Sequence, residues 1–346
     1  MKRIIVGSVR GSAGKTSVIV GLAEATKKSI AYLKPFGDRL FYKEKKLIDY
    51  DFALMKDIFS LSEDQDHAII GFEHSKMRYL FDENSIKKKL NEMISHSKGK
   101  DILIIEGGKD IGFGISVHLD TLSLAKDIDD CKLIIVISGN DDTVLDDIYF
   151  VKKHIDITNI DSVSVIINKV QDIKNFENTY LNEIKKIGLN ILGILPYRAE
   201  LTYLSVNYLA ESLMAKVVTG EEGLNKRVEN ILVGAMSADA VLRYPPFQKQ
   251  NKLVITSGDR SDMILAALES NTSAILLTTN TLPPVNIISK ASEHKIPLLL
   301  VPYDTYESAK RVEKIEALIT KDDLDKRVIL KEMVDKYLNI SEIIKD

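Results

Sequence analysis

Apolar residues along this chain gather into short continuous runs, at residues 3–6, 30–33, 102–105, 133–137, 164–167 and 191–194. Each run is rich in Ile, Leu or Val and is bounded by polar residues or glycine. Runs of this length without alternation predict strands buried on both faces, as in a parallel sheet. Segments of helical period lie among them, at residues 16–27, 84–96, 144–154 and 175–187. Strand and helix therefore alternate, and the expected fold is α/β, with helices on both faces of a parallel sheet.

After Pro196 the pattern restarts. Residues 201–216 read as a helix, and further strand-like runs follow at 231–233, 253–256, 274–278 and 298–301. Helical stretches at 262–270 and 286–294 separate some of them. This predicts a second, smaller α/β domain, with the boundary near Val217. Residues 320–346 are charged and amphipathic, and are expected to form one or two helices packed on that second domain. The predicted division is therefore 1–216, 217–319 and 320–346.

Composition narrows the functional classes. A length of 346 residues fits two domains. A net charge of -3, with no long basic run, argues against a general nucleic-acid or membrane-surface binder. The single cysteine, Cys131, cannot build an intrachain disulfide or a cysteine zinc site, and reads as a buried filler or a strand-edge residue. The six histidines lack the close pairing of a zinc site. The segment before Ser8 is short for a signal-peptide core, and no apolar stretch approaches the roughly 20 residues of a membrane span. A soluble, cytoplasmic protein is the expectation.

The first strand runs into Gly7-Ser8-Val9-Arg10-Gly11-Ser12-Ala13-Gly14-Lys15-Thr16-Ser17. Gly-Lys-Thr at the start of a helix marks a phosphate-binding loop. Small residues let the backbone curl so that N–H groups point at phosphate oxygens, and the helix N-terminus adds partial positive charge. Arg10, Gly11, Ser12, Ala13, Gly14, Lys15, Thr16 and Ser17 are thus the candidate nucleotide-binding residues. Lys15 would reach the β- and γ-phosphates, and the Thr16 hydroxyl would ligate Mg²⁺. The expected ligand is ATP with Mg²⁺. The first glycine of the usual motif falls at Val9, and Gly11 stands two positions later.

Further candidates lie at later strand ends, where parallel sheets bind ligands. The second run ends in Lys34-Pro35, and Lys34 joins Lys15 as a candidate catalytic residue. The third ends in Glu106-Gly107-Gly108, a carboxylate placed to hold Mg²⁺ with Thr16 and Asp51. Asp49 is close enough in sequence to stand in for Asp51. Asn168, followed by Lys169, offers an amide to a purine edge, and the loop at Pro196 and Tyr197 is placed to cover the base. In the second domain, Asp259 and Arg260 follow a strand and Thr278 ends the next. They are either a small-ligand site or a structural ion pair that fixes a turn.

The order of these pieces resembles the dethiobiotin synthetase-like branch of phosphate-loop ATPases, over about residues 1–215. The resemblance is carried by residues 8–16, Lys34-Pro35, Asp51, Glu106-Gly107-Gly108, Asn168-Lys169 and residues 193–196. It implies that Lys34 faces substrate and the transferred phosphate, that Asp51 and Glu106 assist the metal, and that Asn168 reads adenine. Arg10 aligns with a lysine that, in deviant phosphate loops, reaches the nucleotide of a dimer partner. The resemblance thus implies a homodimer, while a simple phosphate contact or a solvated loop arginine is the alternative.

About residues 217–312 resemble the DRTGG domain. Its Asp-Arg element stands at Asp259-Arg260, and its Thr-Gly-Gly element at Thr278-Thr279-Asn280. The two domains in this order resemble the N-terminal, non-catalytic portion of long bacterial phosphate acetyltransferases, and stand-alone archaeal proteins. The acetyltransferase domain itself is not expected within this length. The expected function is an ATP/Mg-binding regulatory or sensor ATPase, slow if it turns over, whose second domain binds an unknown small molecule. An ATP-dependent ligase or carboxylase-like enzyme, working through an acyl- or carbamoyl-phosphate, is the alternative. A purely structural partner of a separate acetyltransferase is a third reading.

Overall fold

The computed structural model describes residues 1–43, 45–158, 160 and 163–344. The chain divides into two compact units, Met1–Arg198 with Lys321–Asp346, and Ala199–Thr320. The strands are β1 (Lys2–Ser8), β2 (Ile30–Leu33), β3 (Leu40–Lys43), β4 (Lys46–Asp49), β5 (Ile102–Glu106), β6 (Cys131–Ser138), β7 (Val163–Val170) and β8 (Asn190–Pro196) in the first unit. Those of the second are β9 (Leu204–Ser205), β10 (Lys216–Thr219), β11 (Arg227–Val228), β12 (Asn230–Val233), β13 (Lys252–Ser257), β14 (Thr272–Thr278) and β15 (Leu298–Leu300).

The first unit is built on a six-stranded sheet in the order β2-β5-β1-β6-β7-β8, parallel throughout. Its strands are continuous apolar runs because both faces are covered: Ile4, Ile5, Leu133 and Ile135 are fully buried. Helices α1 (Lys15–Thr26), α2 (Tyr50–Phe59), α3 (His74–Leu80), α4 (Glu83–His96), α5 (Thr121–Asp127), α6 (Thr143–Thr158), α7 (Ile173–Phe176) and α8 (Asn182–Ile187) connect or flank these strands. A π-helical turn, Glu177–Leu181, joins α7 to α8 and breaks the single helix expected there. The antiparallel hairpin β3–β4 has no counterpart in the sequence pattern, because its strands are short and carry few buried apolar residues.

The second unit contains α9 (Val206–Leu213), α10 (Ala238–Leu242), α11 (Ser261–Leu268), α12 (Val285–Glu293) and α13 (Thr305–Glu313). Its sheet order is β10-β15-β14-β13-β12, with β12 to β15 parallel and β10 antiparallel. Alternate residues of each run feed two cores. Val254, Ile275 and Leu277 pack with Met263, Ile264 and Ile287. Leu253, Ile255 and Leu276 pack with Val206, Leu209 and Val312. The helix expected over 201–216 is shorter, because β9 and a 3-10 turn precede α9.

The C-terminal segment forms α14 (Leu324–Tyr337) and α15 (Ile340–Ile344). It belongs to the first unit, which corrects the expectation that it packs on the second. The reason lies in α1, where Val18, Ile19, Val20, Leu22 and Ala23 are all buried. A helix apolar on every side needs cover on every side, and α14 supplies the outer layer. The helices approach so closely that a Cβ on Gly21 would lie 2.8 Å from the Leu330 carbonyl oxygen. Arg327 Nε donates to Glu24 Oε1 at 2.8 Å across the same contact. A Cβ on Gly193 of β8 would likewise fall 2.0 Å from the Tyr337 carbonyl oxygen.

Candidate functional site

Strand β1 lies between β5 and β6, so its carboxyl end opens at the edge where open α/β sheets bind ligands. The loop that follows turns through left-handed backbone at Ser12 (φ 57) and Gly14 (φ 94) and delivers Lys15 and Thr16 into the first turn of α1. A side chain at Gly14 would be strained and would also lie 2.5 Å from Asn168 Nδ2, so glycine is required twice over. Ser17 is half-buried in the same first turn. Lys15 Nζ donates to Ser8 Oγ at 3.0 Å and to the Lys109 carbonyl at 3.0 Å. Burial pulls its pKa below that of an ordinary lysine, although Glu106 and Asp38 oppose this.

A cluster of buried acids stands beside the loop. Thr16 Oγ1 donates to Glu106 Oε1 at 2.8 Å and lies 3.3 Å from Asp51 Oδ1. The structure thus brings together the three predicted metal-site residues. Tyr32, missed in the sequence, donates its hydroxyl to Glu106 Oε2 at 2.8 Å. Burial and the nearby Asp51 push the Glu106 carboxyl up to about 7. Asp51 is held below the usual carboxylate range: burial opposes this, but Lys34 and Arg39 outweigh it. The hydroxyl and two carboxylates are hard oxygen donors, suited to a small divalent cation.

Lys34 is only 1% exposed. Its ammonium is hydrogen-bonded to Asp38 and Asp51 and lies 3.3 Å from Asp49 Oδ2. An ammonium has three donors, and three carboxylates surround this one. Burial alone would lower its pKa, yet Asp51, Asp49, Glu106 and Asp38 together raise it. Asp49, the sequence alternative to Asp51, has a structural role, for it caps α2 and accepts from Phe52 N at 3.1 Å. Asp51 is the one that reaches Thr16. Beyond Pro35, the rings of Phe36, His74 and Phe113 form a mutual cluster with centroids 4.7–5.1 Å apart, and Phe36 is 1% exposed.

On the other flank of the loop, Asn168 Nδ2 donates to the Ala13 carbonyl at 2.9 Å and its Oδ1 accepts from Lys169 N. Lys169 Nζ donates to the Ser12 carbonyl at 2.6 Å. Both residues therefore brace the phosphate loop, a role that strand-end position alone did not show. Pro196 ends β8, in register with Val170. Arg10 Nε bonds both oxygens of Asp147 on α6, at 3.0 and 2.9 Å. Asp147 was also missed, since it sits in a helix distant in sequence.

In the second unit the candidates separate. Arg260 pairs with Asp262 (Nε to Oδ1 3.1 Å) and donates from Nη2 to the Met236 carbonyl at 2.7 Å. Arg260 therefore pairs with Asp262 and not with Asp259, the partner expected for a structural ion pair, and Asp259 is exposed. Thr278 is fully buried, with its Oγ1 3.2 Å from Thr305 Oγ1. It lies in register with Ser257 at the edge where Asp259 and Arg260 follow. Thr279 (φ 57) and Asn280 (φ 51) keep left-handed backbone where the DRTGG pattern has glycines.

Residues 2–204, more than half of the 346-residue chain, match the family model of an AAA domain. The chain belongs to the AAA domain family. Residues 208–315 match the DRTGG domain, so a phosphate-loop AAA domain precedes a DRTGG domain. The phosphate acetyltransferase of Synechocystis sp. is 23% identical over 341 residues, 92% of this chain and 48% of its own length. That of Nitratidesulfovibrio vulgaris is 23% identical over 98% of this chain and 51% of its own. The chain spans about half the length of these curated relatives. Among solved structures, the MinD cell division protein of Aquifex aeolicus is 17% identical, covering 58% of this chain and 84% of its own, with a TM-score of 0.35. The CBS and DRTGG domains of the Clostridium perfringens pyrophosphatase, complexed with diadenosine tetraphosphate, are 18% identical over 55% of this chain and 82% of their own, with a TM-score of 0.28.

Proposed function

We propose that this protein is an ATP- and Mg²⁺-binding sensor or regulator, whose AAA domain binds nucleotide and turns it over slowly if at all. The observation that carries the reading is Lys34. An acyl- or carbamoyl-phosphate ligase needs a free cation there to steady the transferred phosphoryl group. Here the ammonium is buried and held by Asp38, Asp49 and Asp51. After Pro35 the chain packs Phe36 against His74 and Phe113.

Nucleotide binding is supported by the loop. Lys15 would exchange its bonds to Ser8 and Lys109 for phosphate oxygens, and the N-terminal N–H groups of α1 would add to them. Arg10, Gly11, Ser12, Ala13, Gly14 and Ser17 complete the cradle. Mg²⁺, held by Thr16, Asp51 and Glu106, would neutralise phosphate charge. Asn168 keeps one N–H and one acceptor lone pair for the adenine edge, with Pro196 at the neighbouring strand end. In the DRTGG domain, Asp259, Arg260 and Thr278 are the proposed small-ligand site. In a homodimer the Nη groups of Arg10 would be the ones to reach a partner, since its Nε bonds Asp147 while the side chain is 60% exposed. Among the described residues no helix is long and apolar enough to cross a membrane, and we place the protein in the cytoplasm.

The test is ADP release with Mg-ATP across a panel of carboxylates and amines. The sensor reading expects no acceptor to stimulate release. An acceptor that stimulates it, with matching acyl-phosphate trapped by hydroxylamine, would establish the ligase.

A further inference from the structure

The cations around the phosphate loop differ in how far they are already committed. Arg10 is held by Asp147, Lys169 by the Ser12 carbonyl and Lys34 by three carboxylates. Lys15 rests on Ser8 Oγ and the Lys109 carbonyl. Lys109 is the exception. Its side chain lies along the loop at Gly11, where an added Cβ would meet Lys109 Cε at 3.3 Å and Cγ at 3.4 Å. The residue is exposed, and among the described residues its ammonium has no hydrogen bond or ion pair.

Its backbone is firmly placed. Gly107 N donates to the Val6 carbonyl at 2.9 Å, which ties the start of the segment to β1. A Cβ on Gly108 would fall 2.4 Å from Phe113 Cδ1, so the chain passes tightly under that ring. The carbonyl of Lys109 is where the Lys15 ammonium rests. Asn168 and Lys169 brace the loop from the other flank, at Ser12 and Ala13. Lys109 therefore stands beside Lys15 and against the loop at Gly11, the flank where the end of a bound phosphate chain would lie.

We propose that Lys109 binds the terminal phosphate of a nucleoside triphosphate and makes the site prefer triphosphate to diphosphate. The proposal rests on the reading that this loop binds nucleotide. A free ammonium on a flexible stem contributes a charge-assisted hydrogen bond without first breaking an ion pair. It would also move the loop after β5 with the nucleotide state, since its own carbonyl is the one Lys15 must release.

The experiment is calorimetric binding of ATP and ADP, each with Mg²⁺, to wild type, Lys109→Ala and Lys109→Arg. Lys109→Ala is expected to weaken ATP about tenfold or more, the scale of one charged hydrogen bond. ADP should stay within about twofold, and Lys109→Arg should recover most of the ATP affinity. Equal weakening of ATP and ADP would overturn the proposal, because it would mean a disturbed loop. Unchanged ATP binding would also overturn it. Failure of wild type to bind either nucleotide would remove the nucleotide reading itself, and Lys109 with it.

Discussion

Thr16, in the first turn of α1, donates its hydroxyl to Glu106 at the end of β5, at 2.8 Å across 90 residues of sequence. The bond closes the phosphate loop onto the acidic cluster. Burial and Asp51 push the Glu106 carboxyl up to about 7, against 4.5 in the free residue. The folded chain then keeps a proton that the unfolded chain has lost. Its stabilising effect is present below the unfolded value and is lost as pH rises through the folded one. The stability of wild type relative to Glu106→Gln should therefore fall between pH 5 and 8, as read from urea midpoints. A difference that is flat with pH would show that Glu106 ionises normally. Mg²⁺ would favour the carboxylate, so Mg-dependent nucleotide affinity should rise over the same window in wild type and less in the variant.

Lys34 should prove structural. Lys34→Met removes the cation shared by Asp38, Asp49 and Asp51, all buried or half-buried, and leaves only Arg39 paired with Asp51. Removing one partner from a buried ion network costs about 3–5 kcal/mol. Urea unfolding should show a loss of that order, and a loss below about 1 kcal/mol would mean that the cluster rearranges cheaply.

The C-terminal helix should stabilise the first unit alone. Truncation after Thr320 strips the cover of α14 from α1, including Leu330, Met333 and Val334, each at most 4% exposed. Burial of such side chains is worth about 1.5–3 kcal/mol each. Amide exchange in α1 should rise sharply while β13 and β14 keep their protection. The reverse pattern would return α14 to the second unit.

Gly14 and Asn168 should act as a coupled pair. Gly14→Ala is expected to weaken nucleotide binding strongly but measurably, through its φ of 94 and the 2.5 Å approach to Asn168 Nδ2. Asn168→Ala relieves the contact but not the backbone strain, and itself loses the bond to Ala13. Calorimetry on the double variant should show less than the summed loss. Additive losses would mean that the two residues are independent.

The strand runs, the phosphate loop and the order of Thr16, Asp51 and Glu106 are legible in the sequence because each depends on local pattern. Continuous apolar runs mark doubly covered strands, and Gly-Lys-Thr needs only its own strand and helix. What stays hidden depends on partners distant in sequence. Asp147 gives no local sign that it meets Arg10, nor does Tyr32 that it meets Glu106. The placement of α14 does have a signal: Val18-Ile19-Val20 followed by Leu22-Ala23 leaves α1 no polar face, so some other element has to cover it. Asn168 stands at the expected strand end, but its bond to Ala13 cannot be read from position.

If Lys15 and its loop serve nucleotide sensing, binding and turnover should separate. The most direct measurement pairs calorimetric ATP binding with Mg-dependent hydrolysis, for wild type and Lys15→Ala. Binding in wild type that the variant loses, with turnover near zero in both, is the predicted result. Fast turnover in wild type that Lys15→Ala abolishes would contradict the sensor and point to an enzyme, and a wild type that binds no ATP would contradict nucleotide sensing altogether.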